Sequence, residues 1–255
     1  MSIPPVTLRR VFWRCLFLQA AWNRRGMQNL GFAYAIDPAL RSLYADPGQR
    51  SEALRRHLAT FNCHPYTAAA IVGGAIHHEE RVAAGEEPGA VPLSYKATLQ
   101  GPLAAVGDGF FWTALRPFFG ALAALGGLVA GWPAVVASLL VYNLVHFSLR
   151  AALFGAGYRR GDAVVGLIAR LALPRTADRL RAAGVALCGA AAAAVALQAG
   201  GAVVGAGAGI TLVVAAAAGT GYLALARGAP LLPSAYLAAV LGTILAAATG
   251  WDGRP

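Results

Sequence analysis

The chain has 255 residues, 58% of them hydrophobic and only 13% charged, with a mean hydropathy of +0.57. That balance excludes an ordinary soluble globular domain and a disordered chain, both of which carry more polar side chains. The formal charge of +10 does not point to nucleic acid, because no basic stripe with interleaved aromatics accompanies it; the arginines flank apolar segments, as on the cytoplasmic faces of membrane proteins.

Residues 1–116 hold 12 of the 21 basic and 8 of the 11 acidic side chains, and residues 150–181 hold seven Arg and two Asp. Cys15, Cys63 and Cys188 show neither metal-ligand spacing nor a disulfide framework. Met1 to Thr7 lacks the basic and apolar regions of a cleavable signal, so insertion is expected from internal segments, with the N-terminus in the cytoplasm.

Residues 6–20 predict an amphipathic helix with Leu8, Val11, Phe12, Cys15 and Leu16 on one face and Arg10 and Arg14 elsewhere. Such a helix suits an anionic membrane surface or packing on its own domain. Asp37-Pro38 and Asp46-Pro47 each read as an N-cap followed by Pro at the first helical position. The second starts a helix through Glu52, Arg55, Arg56 and His57 that ends near Asn62; His57, in a basic run, reads as a surface side chain. Residues 66–76 are apolar but too short to span, and read as a re-entrant or buried segment. Residues 79–96 are polar, and Gly85, Pro88, Gly89 and Pro92 mark a loop. His77-His78 has no second ligand cluster, so no metal is expected. Glu79 and Glu80 point about 100° apart on a helix and cannot form a facing acid/base pair; they read as solvated charge or subunit contacts.

The segment 100–117 places Asp108, Arg116, Gly101, Pro102, Gly107 and Gly109 in an otherwise apolar run. Gly and Pro cost about 1 and 3 kcal/mol inside a helix, which predicts either a broken helix with buried or cavity-lining polar groups or a loop before a membrane anchor. Asp108 and Arg116 are expected to pair across two half-helices or to contact ligand. Charge-free windows follow at 117–149, 182–226 and 228–251. They predict spans near 121–147, 182–199, 203–226 and 230–250, with 150–181 and Arg227 on the cytoplasmic side. Gly205-x-Gly207-x-Gly209 lacks the context of a dinucleotide loop and reads as close helix packing.

Four stretches then point to a family. Residues 19–32 (Gln-Ala-Ala-Trp-Asn-Arg-Arg-Gly-Met-Gln-Asn-Leu-Gly-Phe), residues 55–66 (Arg-Arg-His-Leu-Ala-Thr-Phe-Asn-Cys-His-Pro-Tyr), Glu79-Glu80 and residues 100–117 resemble the signatures of the IID subunit of mannose/fructose/sorbose-type phosphotransferase-system (PTS) permeases. The resemblance is strong over about residues 8–165. Arg24, Arg25 and Gly26 depart from it, as do Cys63 (where the family has Thr) and Gly109 (where it commonly has Pro).

The resemblance implies an all-α integral membrane protein of the bacterial inner membrane, multi-pass, with re-entrant or broken helices and four to six membrane segments. Its regions would be 1–64 (cytoplasmic or interfacial amphipathic helices), 65–120 (re-entrant or broken-helix motifs) and 121–255 (transmembrane helices with the basic loop 150–181). It implies a non-catalytic subunit, without cofactor, metal or phosphorylated residue, in an oligomeric complex with a IIC subunit. That complex takes up a hexose-type sugar, and IIB, charged by IIA, phosphorylates it. A regulatory, transport-incompetent relative is the alternative, motivated by Arg24-Arg25-Gly26. Sugar or interface candidates are Asn62 (otherwise a helix C-cap), His64, Asp108, Arg116, Gln28 and Trp22 (otherwise an interfacial anchor). Glu79 and Glu80 are the partner-contact candidates.

Overall fold

Every element in residues 3–200, the part of the chain that the computed structural model describes, is helical: α1 Pro5–Arg14, α2 Asn29–Leu43, α3 Pro47–His57, α4 Ala68–Ala83, α5 Val91–Gly107, α6 Arg116–Ala130, α7 Trp132–Arg160, α8 Val164–Arg170 and α9 Leu173–Gly200. A π-helical stretch, Asp108–Leu115, joins α5 to α6 without interruption. The expected spans 203–226 and 230–250, Arg227 and the Gly205 motif lie outside the described residues.

The core forms around α4. Ala68 to Ile76 is buried throughout, because Ala and Gly let neighbouring backbones close in on every side. A Cβ on Gly157 would overlap the Ala70 carbonyl, and one on Gly73 would overlap the Phe154 carbonyl, so α4 and α7 meet almost backbone to backbone. α1 packs its Val11 side against α2, and Cys15 and Leu18 follow it into the core. The expected apolar face of α1 is therefore largely spent inside the protein. A second cluster, Phe110, Phe111, Ala114 and Leu115 with Leu173 and Ala177, joins the π stretch to α9.

Several expectations change. Asp46 caps α3 as read, its Oδ2 accepting the Gln49 N–H at 2.7 Å with Pro47 at the first position. Asp37 and Pro38, by contrast, lie inside α2. Pro38 cannot donate to the Tyr34 carbonyl four residues back, and the Arg14 guanidinium donates to that oxygen instead, at 3.0 Å. Asp37 is held by Arg41 at 2.9 Å and Arg14 at 3.3 Å. The polar loop shrinks from 79–96 to 84–90, because α4 continues to Ala83 and Pro92 sits in the first turn of α5.

The 121–147 segment is not one span. Gly131 adopts φ +74°, and Pro133 opens α7, so α6 and α7 form a hairpin with Trp132 at its tip. The 150–181 stretch is mostly helical rather than a loop, and Arg150 is buried within α7. Two helical stretches of the described residues, Val91–Ala130 and Trp132–Ala192, are long and apolar enough to cross a membrane. Gly157→Ala is expected to cost about 1–3 kcal/mol through forced overpacking. Gly101→Ala, with open space around the new methyl, should be neutral or gain up to about 1 kcal/mol. Thermal unfolding of the purified protein in detergent checks both.

Candidate functional site

Residues 19–28 fold into a tight turn that leads into α2 at Asn29. Asn23 organises it, its Oδ1 accepting the Arg25 and Gly26 N–H groups and its Nδ2 donating to Asn29 Oδ1 at 2.9 Å. Met27 takes φ +58°, and a Cβ on Gly26 would collide with the Asn29 side chain. The turn clips onto the linker after α3: Phe61 N–H donates to the Gly26 carbonyl at 3.2 Å, and Gln28 N–H donates to the Phe61 carbonyl at 2.8 Å. Buried Gln28 then uses both ends of its amide on the Cys63 backbone, at 2.8 and 3.1 Å. Gln28 therefore positions the linker, with both its amide nitrogen and its amide oxygen engaged and its side chain buried. Trp22 stands exposed at 54%.

The linker presents Asn62 to solvent, beyond the Leu58 C-cap of α3, with its N–H donating to Gln100 Oε1 at 3.0 Å. His64 turns inward, stacked on Phe111 with centroids 5.0 Å apart and tilted against Trp112 at 4.7 Å. Its Nδ1 accepts the Tyr66 N–H, and its buried Nε2 has no partner. Burial and the nearby Arg150 charge hold the ring's pKa down, to about 4.

Asp108 and Arg116 are exposed and do not pair. The expected bridge required two half-helices. In the continuous helix found here, eight residues separate the two groups by on the order of 10 Å. Arg116 lies instead over the Trp112 ring, 5.4 Å from its centroid. Asn62, Gln100, Asp108, Trp112 and Arg116 thus belong to the α3–α4 linker and the α5–α6 helix, where the Gly107 backbone lies against His64.

Sequence reasoning missed the polar column beneath. Arg150, assigned to the basic loop by charge counting, donates from Nη2 to the Cys15 carbonyl and lies 5.6 Å from the Tyr66 ring centroid. Tyr66 stacks on His146 at 4.4 Å, and its hydroxyl meets that of Tyr142 at 3.5 Å. The signal was present: Tyr142, His146 and Arg150 recur every four residues in an apolar helix.

Glu79 was also misread. Its side chain is fully buried, and so is that of His57. One carboxylate collects the Tyr44 hydroxyl at 2.7 Å, Arg56 Nε at 2.8 Å and His57 Nε2 at 2.9 Å. Burial would raise its pKa, but the hydrogen bonds from His57 and Tyr44 and the Arg56 charge outweigh that and hold it below the ordinary range. Burial lowers the pKa of His57 and keeps it neutral, so it serves as a donor. Lys96 bonds the His57 and Ala59 carbonyls at 2.9 and 3.1 Å. Glu80 faces elsewhere, accepting from Tyr158 at 2.8 Å and from Ile3 N–H at 3.2 Å. His77 bonds the Tyr158 carbonyl, and His78 bonds Glu87.

Residues 2–216 match the family model of the PTS system mannose/fructose/sorbose family IID component. The chain belongs to this family. Over 164 residues it is 40% identical to the PTS system mannose-specific EIID component of Escherichia coli K12, an alignment covering 62% of this chain and 56% of that protein. Over 155 residues it is 37% identical to the fructose permease IID component of Bacillus subtilis, covering 59% and 55%. The fold is similar to a chain in the cryo-EM structure of the mannose transporter ManYZ with microcin E492, with a TM-score of 0.60 and 34% identity over 74% of this chain and 69% of that one. The matched region thus spans about half the length of the two relatives. As a IID-family chain with two apolar helices, it is an all-α membrane protein.

Breaking the network around the buried carboxylate is expected to be costly, because it strands a buried charge. Glu79→Gln should cost roughly 3 kcal/mol or more by stranding Arg56. Asp37→Asn, at a half-exposed pair, should cost about 1 kcal/mol or less. The folded pKa values of both Glu79 and His57 are depressed. Their contribution is therefore complete above the ordinary histidine value of 6.5 and declines as pH falls below it, with Glu79 adding its loss below its ordinary 4.5. Unfolding temperature against pH should show that acid limb, shallower in His57→Gln, which keeps a donor but cannot titrate.

Proposed function

We propose that the chain is the IID subunit of a mannose-type PTS permease and forms with a IIC subunit the membrane pathway for a hexose-type sugar. IIB, charged by IIA, phosphorylates that sugar. The observation that carries this reading is the family match over residues 2–216, a range that takes in the linker with Asn62 and the helix with Asp108. The chemistry of that row supports it. A neutral amide both donates to and accepts from sugar hydroxyls, a carboxylate accepts two of them, and an indole face covers the apolar side of a pyranose. Asn62, Asp108 and Trp112 are exposed, as side chains completed into a site by a second subunit would be. Phosphorylation makes uptake unidirectional, because the charged product cannot return through a path built for a neutral sugar.

This subunit supplies scaffold and contacts, while the phosphoryl group passes from the soluble partners directly to a sugar hydroxyl without residing on this chain. It lies in the inner membrane as a multi-pass protein with a cytoplasmic N-terminus. The exposed arginines of 159–181 face the cytoplasm under the positive-inside bias.

Co-expression with IIA, IIB and IIC in a strain lacking its own hexose permeases tests the function. The wild-type complex should take up and phosphorylate labelled sugar. Asn62→Ala, Asp108→Asn and Trp112→Ala should each cut uptake about tenfold or more while co-purification with IIC persists, as expected when a hydrogen-bonding or stacking partner that the bound sugar would bury is lost. Loss of co-purification would make the row an interface, and wild-type uptake in all three would remove it from the pathway. Assembly without any uptake of sugar by the wild-type chain would favour the regulatory alternative. For topology, a cysteine at Thr176, in a background without native cysteines, should resist impermeant labelling in intact cells.

A further inference from the structure

The face of α1 turned away from the core carries an unusual combination. Val6, Trp13 and Phe17 are more than half exposed, and Arg9 and Arg10 are exposed beside them. At 100° per residue Val6, Arg9, Arg10 and Trp13 fall within one arc of α1, opposite Val11, and Phe17 follows in the 3-10 turn Cys15–Phe17 that continues it. The patch continues onto α2, where Tyr34, 48% exposed, meets Phe17 edge to face, and onto exposed Leu30, Trp22, Arg24 and Arg25. A solvated helix does not need this many exposed aromatics, and a core-facing helix would not carry the arginines.

The charge is one-sided. The only acid in residues 3–44 is Asp37, which is already shared by Arg14 and Arg41. Arg9, Arg10, Arg24 and Arg25 have no ion-pair partner among the described residues. The patch also adjoins the apolar belt of α7. Trp13 lies against Phe147, with ring centroids 6.5 Å apart. From Phe147 the exposed side chains Leu144, Val141, Leu140, Leu139 and Val136 lead to Trp132 at the hairpin tip. Fifteen residues of helix at about 1.5 Å each put Phe147 about 22 Å from that tip, most of a hydrocarbon core that is roughly 30 Å thick. Trp13 and Trp132 therefore bracket the belt as two interfacial aromatics do. The α1 end is also the end toward which Arg159 and Arg160 lie.

We infer that the outer face of α1, with the adjoining edge of α2, is a membrane-surface element. Its aromatics enter the headgroup region of the bilayer that α7 crosses, and Arg9, Arg10, Arg24 and Arg25 engage anionic lipid headgroups. The inference rests on reading α7 as membrane-spanning.

Spin labels test it. The full chain, reconstituted with its IIC subunit and with Cys188 replaced by Ser, is labelled singly at Val6→Cys or Phe17→Cys. Leu140→Cys serves as the lipid reference and Ser51→Cys as the aqueous one. Collision with oxygen and with a water-soluble nickel complex is measured in phosphatidylethanolamine vesicles with and without phosphatidylglycerol. Positions 6 and 17 should read between the two references in the anionic vesicles. They should shift toward the aqueous value without phosphatidylglycerol, or when Arg9→Glu and Arg10→Glu are combined. Aqueous readings at both positions, with Leu140 in lipid, would overturn the inference and leave the permease function standing. Occlusion from both reagents whatever the lipid would mean that a protein covers the face, which also overturns it. An aqueous reading at Leu140 would overturn the membrane path of α7 as well.

Discussion

One buried carboxylate ties α2, α3 and α4 together, and a lysine of α5 closes the same network. Glu79, on α4, accepts from Tyr44 next to the end of α2 and from Arg56 and His57 at the end of α3, while Lys96 of α5 fastens the carbonyls of His57 and Ala59. A lone buried carboxylate would cost several kcal/mol and would take up a proton instead. Three donors converge on this one, so the ion is retained and four elements lose their freedom to slide. Lys96 completes its environment over the faces of Phe32 and Phe61, at 4.5 and 5.6 Å.

This arrangement also explains why the exposed row is stiff. The linker between α3 and α4 is irregular, and such segments are mobile unless their backbone groups are tied down. Here Lys96 and Gln100 of α5 and Gln28 and Asn29 at the start of α2 bind the backbone of residues 57–63 from two sides. Asn62 is thereby offered to its surroundings without having to be ordered by whatever it meets, which lowers the entropic cost of recognition. Gly107 contributes by letting α5 approach the His64 side chain closely.

The two irregular helices follow a common logic. Pro38 leaves the Tyr34 carbonyl without its helical donor, and Arg14 supplies one. In the π stretch the Gly109 carbonyl accepts from the Thr113 hydroxyl and from Arg181 of α9, both at 2.8 Å. In each case a guanidinium from another helix bonds a backbone carbonyl in the irregular stretch. The irregularity thereby becomes a point of attachment between elements. The wider π turns before Pro117 also let the helix continue through a residue that would otherwise clash with the preceding turn.

Composition, hydropathy and local pattern were enough to determine a helical membrane chain, the α3 cap at Asp46-Pro47 and the shortness of the apolar segment at 66–76, and the resemblance of four short stretches pointed to the family. Each of these depends on residues within a turn or two of one another, or on a sum over the chain. What only the tertiary structure decided is where charge goes inside. His57 in a basic run and Glu79 beside Glu80 look solvated because periodicity reports a residue's face, not what meets that face. Arg150 looked like one more cytoplasmic arginine, and became the buried donor to Cys15 only because α1 crosses α7 there. The same limit applies to residues 100–117, where Gly and Pro signal irregular helix. Continuous π geometry, rather than two half-helices, follows from the packing of Phe110, Phe111 and Leu115 against α9. Burial of an ion depends on partners drawn from distant elements, and local sequence does not encode their arrival.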